Sequence, residues 1–99
     1  MRLSALLLDH PFGDDDGLLF TVDEAMTAGE ARARVRAIAD AIDVGPGRGV
    51  AVRLPNGPDL VCTMAAVWEA GAVHIPLNDR LPITEIEEIC AETGAAAII

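Results

Sequence analysis

The chain has 99 residues, the size of one small domain, and its mix of 52% apolar and 23% charged residues excludes a disordered protein. Sixteen acidic residues stand against seven basic ones, all arginine, so the formal charge is −9 and lysine is absent. A field of this sign repels phosphate groups, which argues against nucleic acid and anionic lipid as partners.

The N-terminal segment, residues 1–17, combines a short apolar run with the acidic loop FGDDDG. The apolar run, residues 3–8, is too short for a signal peptide, and no small-residue cleavage site follows it. No stretch of the sequence reaches the ~20 apolar residues that span a bilayer. We therefore expect a cytoplasmic protein without a membrane span, in which residues 1–17 form an acidic loop segment and residues 18–99 form the folded domain.

A hairpin and a helix are predicted next. The segment LLFTVDEAMT, residues 18–27, is typical of two short strands joined by a turn. Thr27 and Glu30 stand at the spacing of a capping box, which predicts the start of a helix that runs to about Asp43. Apolar residues recur at helical spacing on one face of this helix: Ala31, Val35, Ile38 and Ile42.

From residue 50 onward the predicted order is strand, helix, strand, helix, strand. The segments are VAVRL at 50–54, a helix from Pro58 to Ala70, AVHIP at 72–76, a helix from Ile83 to Thr93, and AAAII at 95–99. Short apolar strands joined by helices are typical of parallel strands covered on both faces. The predicted fold class is α/β, a partial three-layer parallel sheet (βαβαβ) preceded by the hairpin and the first helix.

This layer is predicted to be an incomplete piece of a larger domain. The helix at 58–70 is apolar nearly all round, as expected of a helix buried on more than one side. The strand at 95–99 leaves an apolar edge without the charge, proline or cover that protects edges in monomeric proteins. Either the polypeptide continues or a complementing chain supplies the rest.

The turn RLPNGPDL, residues 53–60, is the first candidate site, because glycine-containing strand–turn–helix junctions often hold phosphate. A phosphate loop needs several converging backbone N–H groups, and usually a lysine. This turn has one glycine, its two prolines lack N–H groups, and Asp59 repels an anion. A structural turn is the favoured interpretation.

Two clusters of titratable or charged residues have alternative interpretations. Asp14, Asp15 and Asp16 contain oxygen ligands for Ca²⁺ or Mg²⁺, but three adjacent side chains point in different directions, so a solvated loop is favoured. The arginines of the first long helix are read as a solvated helix face and not as an anion site: Arg32, Arg34 and Arg36.

Single side chains carry the remaining candidate chemistry. His74 is a candidate base or ligand at the end of a strand, but His10 lies in the N-terminal loop, so a packed, hydrogen-bonded histidine is favoured. Ser4 lacks a base nearby in sequence, and Thr27 is explained as a helix cap. The cysteines lack CxxC or Cys/His spacing and are read as reduced core thiols: Cys62 and Cys90. We assign no catalytic, cofactor-binding or metal-binding residue.

The stretch GRGVAVRLPNGPDLVCTMAAVWEAGAVHIPLNDRLP, residues 47–82, resembles the N-terminal part of the adenylate-forming, AMP-binding enzyme superfamily, in its acyl-CoA synthetase branch. The matching residues of its first strand and turn are Val50, Ala51, Pro55 and Asn56. Those of the helix and second strand are Ala66, Ala70, Gly71, Ala72, Val73, Pro76 and Leu77. A weaker match, which includes Thr27, Ala28 and Glu30, extends the resemblance to residues 18–99.

The resemblance implies an enzyme that condenses a carboxylic acid with ATP to an acyl-adenylate, with Mg²⁺, and passes the acyl group to a thiol of coenzyme A or a carrier protein. The family's phosphate loop and adenylation lysine lie in later segments that do not match this sequence. The expected role of this segment is a scaffold for the remainder of the enzyme or a complementing chain, inactive alone and without a cofactor site of its own. The alternative is a stand-alone α/β interaction module that assembles through its exposed sheet edge.

Overall fold

The computed structural model describes residues 2–99. Its elements in chain order are α1 Ala5–Leu8, β1 Gly17–Phe20, β2 Ala25–Thr27, α2 Ala28–Ala41, β3 Gly49–Val52, α3 Pro58–Glu69, β4 Val73–Pro76, α4 Ile83–Thr93 and β5 Ala97–Ile98. In the described part of the chain, no helix has the length and apolar character needed to cross a membrane.

The hairpin and the start of α2 lie where the sequence predicts them. Strands β1 and β2 pair antiparallel, and Leu19 lies opposite Met26. Thr27 Oγ1 accepts a hydrogen bond from the Glu30 N–H, and Glu30 Oε1 accepts one from the Thr27 N–H, each at 3.1 Å. The hydrogen bond from the Thr27 N–H stabilises the Glu30 carboxylate and is the main reason that the pKa of Glu30 is lowered. The predicted capping box is confirmed.

The second sheet has three parallel strands in the order β4–β3–β5, so β3 is central. Val50 and Val52 pack with Val67 of α3 on one face of β3. Ala51 points to the opposite face, where it packs with Ile86 of α4. The alternation of side chains along β3 therefore produces three layers, helix, sheet and helix, and confirms the predicted α/β class.

Helix α3 is buried on two sides, as its composition predicts. Its small residues Cys62, Ala65 and Ala66 pack against α2, in a cluster that also contains Ala31 and Val35. Val67 faces the sheet instead. Alanine side chains are short and therefore allow α2 and α3 to pack closely. Partly buried residues of α1 and the hairpin pack against this cluster.

The two free edges of the sheet differ. The Val73 N–H donates to the carbonyl of Arg48, just before β3, at 2.8 Å, and the Leu77 N–H donates to that of Val52, the last residue of β3, at 2.9 Å. Backbone groups alternate sides along a strand, so those of His74 and Pro76 face away from β3. Because Pro76 has no N–H, it blunts the β4 edge against further strand pairing. The β5 edge has no such protection, and its terminal Ile98 is 55% exposed.

Three sequence predictions need correction or refinement. Residues 5–8, predicted as part of a loop, form the one-turn helix α1. Strand β5 is regular only over Ala97–Ile98, although the Ile99 N–H still donates to the Ala51 carbonyl at 2.8 Å. The prediction of a solvated arginine face is wrong for Arg32, whose side chain is only 15% exposed because it packs under the acidic loop.

Candidate functional site

The turn at residues 53–60 connects the end of β3 to α3. Gly57 precedes the helix in an extended conformation, and Pro58 takes the first helical position, where a missing N–H costs nothing. Asp59 lies in the first helical turn and forms an ion pair with Arg34 of α2. The Asp59 carboxylate thus already balances the positive end of the α3 dipole, so this position does not favour a bound phosphate. The turn is best interpreted as a structural one.

A groove of about 500 Å³ lies beside this turn, at the carboxyl ends of β3 and β4. Asn56 of the turn and His74 of β4 line it, together with Asn78 and Asp79 from the loop that follows β4. Apolar side chains form the rest of its wall: Val52, Leu54, Leu60, Met64, Pro76 and Leu77. We call this surface the His74 groove. Polar groups from two separate strand ends meet here because parallel strands present their carboxyl ends at one side of the sheet.

His74 is packed as predicted, but its predicted hydrogen bonding is wrong at one nitrogen. Within the described chain, the buried Nε2 atom of His74 has no hydrogen-bond partner. The imidazole packs edge-on against Trp68 of α3, with ring centroids 6.4 Å apart. Burial lowers the pKa of His74 below its usual value of 6.5, because desolvation disfavours the imidazolium. The ring is therefore neutral at pH 7.

The acidic loop is held against α2 by Arg32. The guanidinium donates to the carbonyls of His10 and Phe12, at 3.2 and 2.8 Å, and forms an ion pair with Asp14 at 2.8 Å. Asp14 remains 77% exposed, whereas Arg32 is largely buried. Among residues 2–99, no three acidic, histidine or cysteine side chains converge as a metal site would require. The polar groups of this loop therefore attach it to α2 through Arg32.

Ser4 and Cys62 lie in contacts that sequence spacing did not reveal. The buried Ser4 Oγ donates to Glu69 Oε2 at 2.6 Å, across 65 residues of sequence. This bond, together with the hydrogen bond from Arg2 to the Glu69 carbonyl, ties the N-terminus to the end of α3. Cys62 is a free, buried thiol 3.7 Å from Met26 Sδ, and burial raises its pKa. A protonated thiol in an apolar contact is a poor nucleophile.

A second groove, of about 490 Å³, follows the open β5 edge. Its lining is almost entirely apolar: Ala37, Ile38, Ala41 and Ile42 of α2 and the segment after it, Val50 of β3, and Ala97, Ile98 and Ile99, with Asp43 as the one charged member. We call this surface the β5 groove. It joins an unpaired strand edge to an apolar helix face, so it lies where another layer of protein would pack.

One family of known proteins matches most of this chain. The model of the family described as "AMP-binding enzyme" matches residues 11–99. The chain belongs to this family. The match includes the turn at 53–60 and both grooves, and it begins within the acidic loop.

Individual AMP-binding relatives support the assignment. A feruloyl-CoA synthase from Amycolatopsis sp is 40% identical over 78 residues, which cover 76% of this chain and 16% of that protein. The solved N-terminal domain of FACL13 from Mycobacterium tuberculosis is 29% identical, with a TM-score of 0.68 over 77% of this chain and 20% of that one. The N-terminal subdomain of Klebsiella oxytoca NpsA shares the fold, with a TM-score of 0.82, 24% identity and coverage of 99% and 27%.

The chain therefore corresponds to an N-terminal part of these AMP-binding proteins. It spans about a sixth of the length of the feruloyl-CoA synthase that it matches. This finding agrees with the prediction, made from the apolar β5 edge and the all-round apolar α3, that the layer is a partial piece of a larger domain.

Proposed function

We propose that this chain is the N-terminal scaffold segment of an acyl-activating ligase. The complete enzyme would condense a carboxylic acid with ATP to an acyl-adenylate, with Mg²⁺, and transfer the acyl group to a thiol of coenzyme A or of a carrier protein. The family and the names of the relatives support a ligase. One relative is a feruloyl-CoA synthase, a name that gives feruloyl-CoA as the product of that protein. We further propose that the enzyme acts in the cytoplasm.

The observation that carries this proposal is the β5 groove on a chain that matches only 16% of its relative's length. An apolar helix face beside an unpaired strand edge is stabilised when a further strand and its side chains cover it. We propose that the remainder of the enzyme covers it by adding a strand next to β5. The β4 edge is less suited to this role because Pro76 lacks a donor.

The segment is proposed to be inactive alone. The described residues do not fit ATP: the chain has no lysine, Arg34 is paired with Asp59, and Asp79 gives the His74 groove a negative charge. A nucleotide triphosphate needs cationic or N–H donors at its phosphates, and the remainder of the enzyme has to supply them. The contribution of this segment is then to support the layer on which those groups are placed.

A chimera tests the proposal. Residues 11–99 replace the matching segment in a full-length ligase related to FACL13, and carboxylate-dependent exchange of pyrophosphate into ATP is measured for the chimera and for the 99-residue chain. We expect exchange by the chimera and none by the chain. The change Ile98→Asp, in the β5 groove, should abolish exchange or folding of the chimera, whereas Val73→Asp, at a similarly exposed β4 position, should leave both largely intact.

Two results would contradict the proposal. Exchange catalysed by the purified 99-residue chain would show that it contains an active site. A chimera that folds, binds no ATP and is as little affected by Ile98→Asp as by Val73→Asp would show that the remainder of the enzyme does not pack on the β5 groove.

The second candidate function, an interaction module, rests on the same β5 edge. If two copies pair through β5, sedimentation velocity should show a monomer–dimer equilibrium that Ile98→Asp abolishes. A monomer at all concentrations would exclude self-assembly through this edge.

A further inference from the structure

Asn56 and Gly57 lie together in the turn between β3 and α3. The sequence contains two asparagines, Asn56 and Asn78, and only Asn56 is followed by glycine. Asn56 is exposed, and the pair lies outside the helices and strands. The side-chain amide of Asn56 and the backbone that follows it are therefore at the protein surface.

The backbone nitrogen of Gly57 is free to react. The Gly57 carbonyl accepts the Val61 N–H at 3.2 Å, as the first turn of α3 requires. Among residues 2–99, the Gly57 N–H donates to no protein group, and the Asn56 side chain forms no hydrogen bond with the protein. Gly57 also has no Cβ beside this nitrogen. Neither a hydrogen bond nor a side chain therefore protects it.

Asn78 provides the contrast within the same chain. Its Oδ1 accepts the Arg80 N–H at 2.9 Å, which holds the side-chain amide in a local turn. The next residue is Asp79, whose side chain crowds the backbone nitrogen and whose carboxylate disfavours a negative charge there. The chain thus has one free asparagine and one restrained asparagine.

We propose that Asn56 is a site of spontaneous deamidation. The Gly57 nitrogen loses its proton to a base and attacks Cγ of Asn56, so an N–Cγ bond forms, the Cγ–Nδ2 bond breaks and ammonia leaves. Water then opens the resulting cyclic imide. Cleavage of the new N–Cγ bond gives aspartate, and cleavage between this nitrogen and the backbone carbonyl carbon of Asn56 gives isoaspartate. The net reaction consumes one water and releases one ammonia.

The product has a new carboxylate on a surface that is already acidic. Asn56 lines a small cavity of about 220 Å³ with Glu24 and Asp59, and it lines the His74 groove with Asp79. Conversion adds a negative charge to a chain whose formal charge is −9. In the isoaspartate product, the main chain between β3 and α3 also gains a methylene group. The reaction does not depend on the proposed ligase function, because it needs only this turn and water.

The experiment incubates the purified 99-residue chain at pH 8 and measures both asparagines by mass spectrometry. Cleavage after glutamate separates them, since Glu69 lies between them in the sequence. We expect deamidation to be about tenfold faster at Asn56 than at Asn78, which corresponds to about 1.4 kcal/mol in the barrier. The rate at Asn56 should increase with pH, because a base removes the proton of the attacking nitrogen.

A variant tests the role of the free nitrogen. A Cβ at Gly57 would meet no atom within 4 Å, and the extended conformation of this residue accommodates alanine. Gly57→Ala should therefore keep the fold and slow deamidation of Asn56 about tenfold, because the methyl group hinders attack. Gly45→Ala, at a distant glycine where a Cβ would make only an ordinary contact at 3.6 Å, should leave the rate unchanged.

A measurement in urea tests the role of the folded turn. Because the turn already leaves Asn56 and Gly57 without hydrogen bonds that would oppose the reaction, unfolding should change the rate at Asn56 by less than about threefold. The rate at Asn78 should increase, since unfolding releases its side chain from the Arg80 N–H. If Gly57→Ala fails to fold, this measurement on the unchanged chain decides the matter.

Three outcomes would overturn the inference. The first is equal deamidation of Asn56 and Asn78 in the folded chain, and the second is a rate at Asn56 that Gly57→Ala does not reduce. The third is strong acceleration at Asn56 in urea, which would show that the folded turn protects it. Pyrophosphate exchange by the chimera enters none of these measurements, so the two proposals fail separately.

Discussion

Replacing Arg32 by alanine should detach the acidic loop from α2. In the native chain the guanidinium holds two loop carbonyls, of His10 and Phe12, and pairs with Asp14. Alanine removes all three contacts at once. It also leaves a space under the loop, because the Arg32 side chain is largely buried.

The expected loss follows from these contacts. A hydrogen bond contributes about 1 kcal/mol net, and a charged donor raises this figure, but the freed carbonyls regain water. The ion pair contributes about 0.5 kcal/mol, because Asp14 is mostly exposed to solvent. We expect Arg32→Ala to lower the free energy of unfolding by about 2 kcal/mol, which for a domain of this size lowers Tm by about 10 °C.

Two assays measure this effect. Urea unfolding gives the free-energy change, and hydrogen exchange reports whether the loop detaches. The N–H groups of Ala28 and Gly29 donate to the carbonyls of Asp16 and Asp14, at 2.8 and 2.9 Å, so their exchange should accelerate in the variant.

Three controls define the interpretation. Arg36→Ala, on an exposed part of the same helix, should change stability by less than about 0.5 kcal/mol. Arg32→Lys should recover only part of the loss, because an ammonium cannot reach several acceptors as a planar guanidinium does. If Asp14→Asn proves as destabilising as Arg32→Ala, or if Arg32→Ala leaves exchange at Ala28 and Gly29 unchanged, the assignment of the carbonyl contacts as the main attachment is wrong.

Three further predictions concern the start of α2 and His74. Thr27→Ala removes the helix cap and should cost about 1 kcal/mol in urea unfolding, and a loss below 0.3 kcal/mol would contradict the capping role. Gly29→Ala should destabilise the fold, because the new Cβ would lie 2.9 Å from Asp14 Cβ and 3.0 Å from its carbonyl oxygen; Gly45→Ala, which meets only one side-chain atom at 3.6 Å, should be neutral or stabilising. Because the folded-state pKa of His74 is depressed, its burial costs nothing above the usual pKa of 6.5 and destabilises the fold as pH falls below it. His74→Gln should therefore reduce the loss of stability between pH 7 and pH 5, and an unchanged pH dependence would refute the burial of this ring.

Sequence patterns within a few residues determined most of the secondary structure. Helix α2 was predictable from Thr27 and Glu30 because a capping box is completed within one turn. The end of α4 was predictable from Gly94, which adopts a left-handed conformation (φ 69°) that other residues avoid. The three-layer arrangement also followed from the sequence, because short apolar strands joined by helices have few other ways to bury both faces.

The open β5 edge was equally predictable, since a terminal apolar strand needs a neighbour whatever its exact register. The family relationship was predictable for a different reason. It rests on the combined motif around Pro55, Asn56 and Pro76, which is a linear pattern.

Tertiary structure decided the contacts between residues far apart in the chain. Arg32 looked solvated because its helical position lies off the apolar face, but the loop at residues 10–14 folds back over it. Ser4 hydrogen-bonds to Glu69 only because α1 packs across the end of α3. The missing partner of His74 Nε2 depends on how Trp68 and β4 pack together, which no local pattern encodes. Local signals specify elements within a few residues of chain, whereas the environment of a buried polar atom is set by the layers that meet around it.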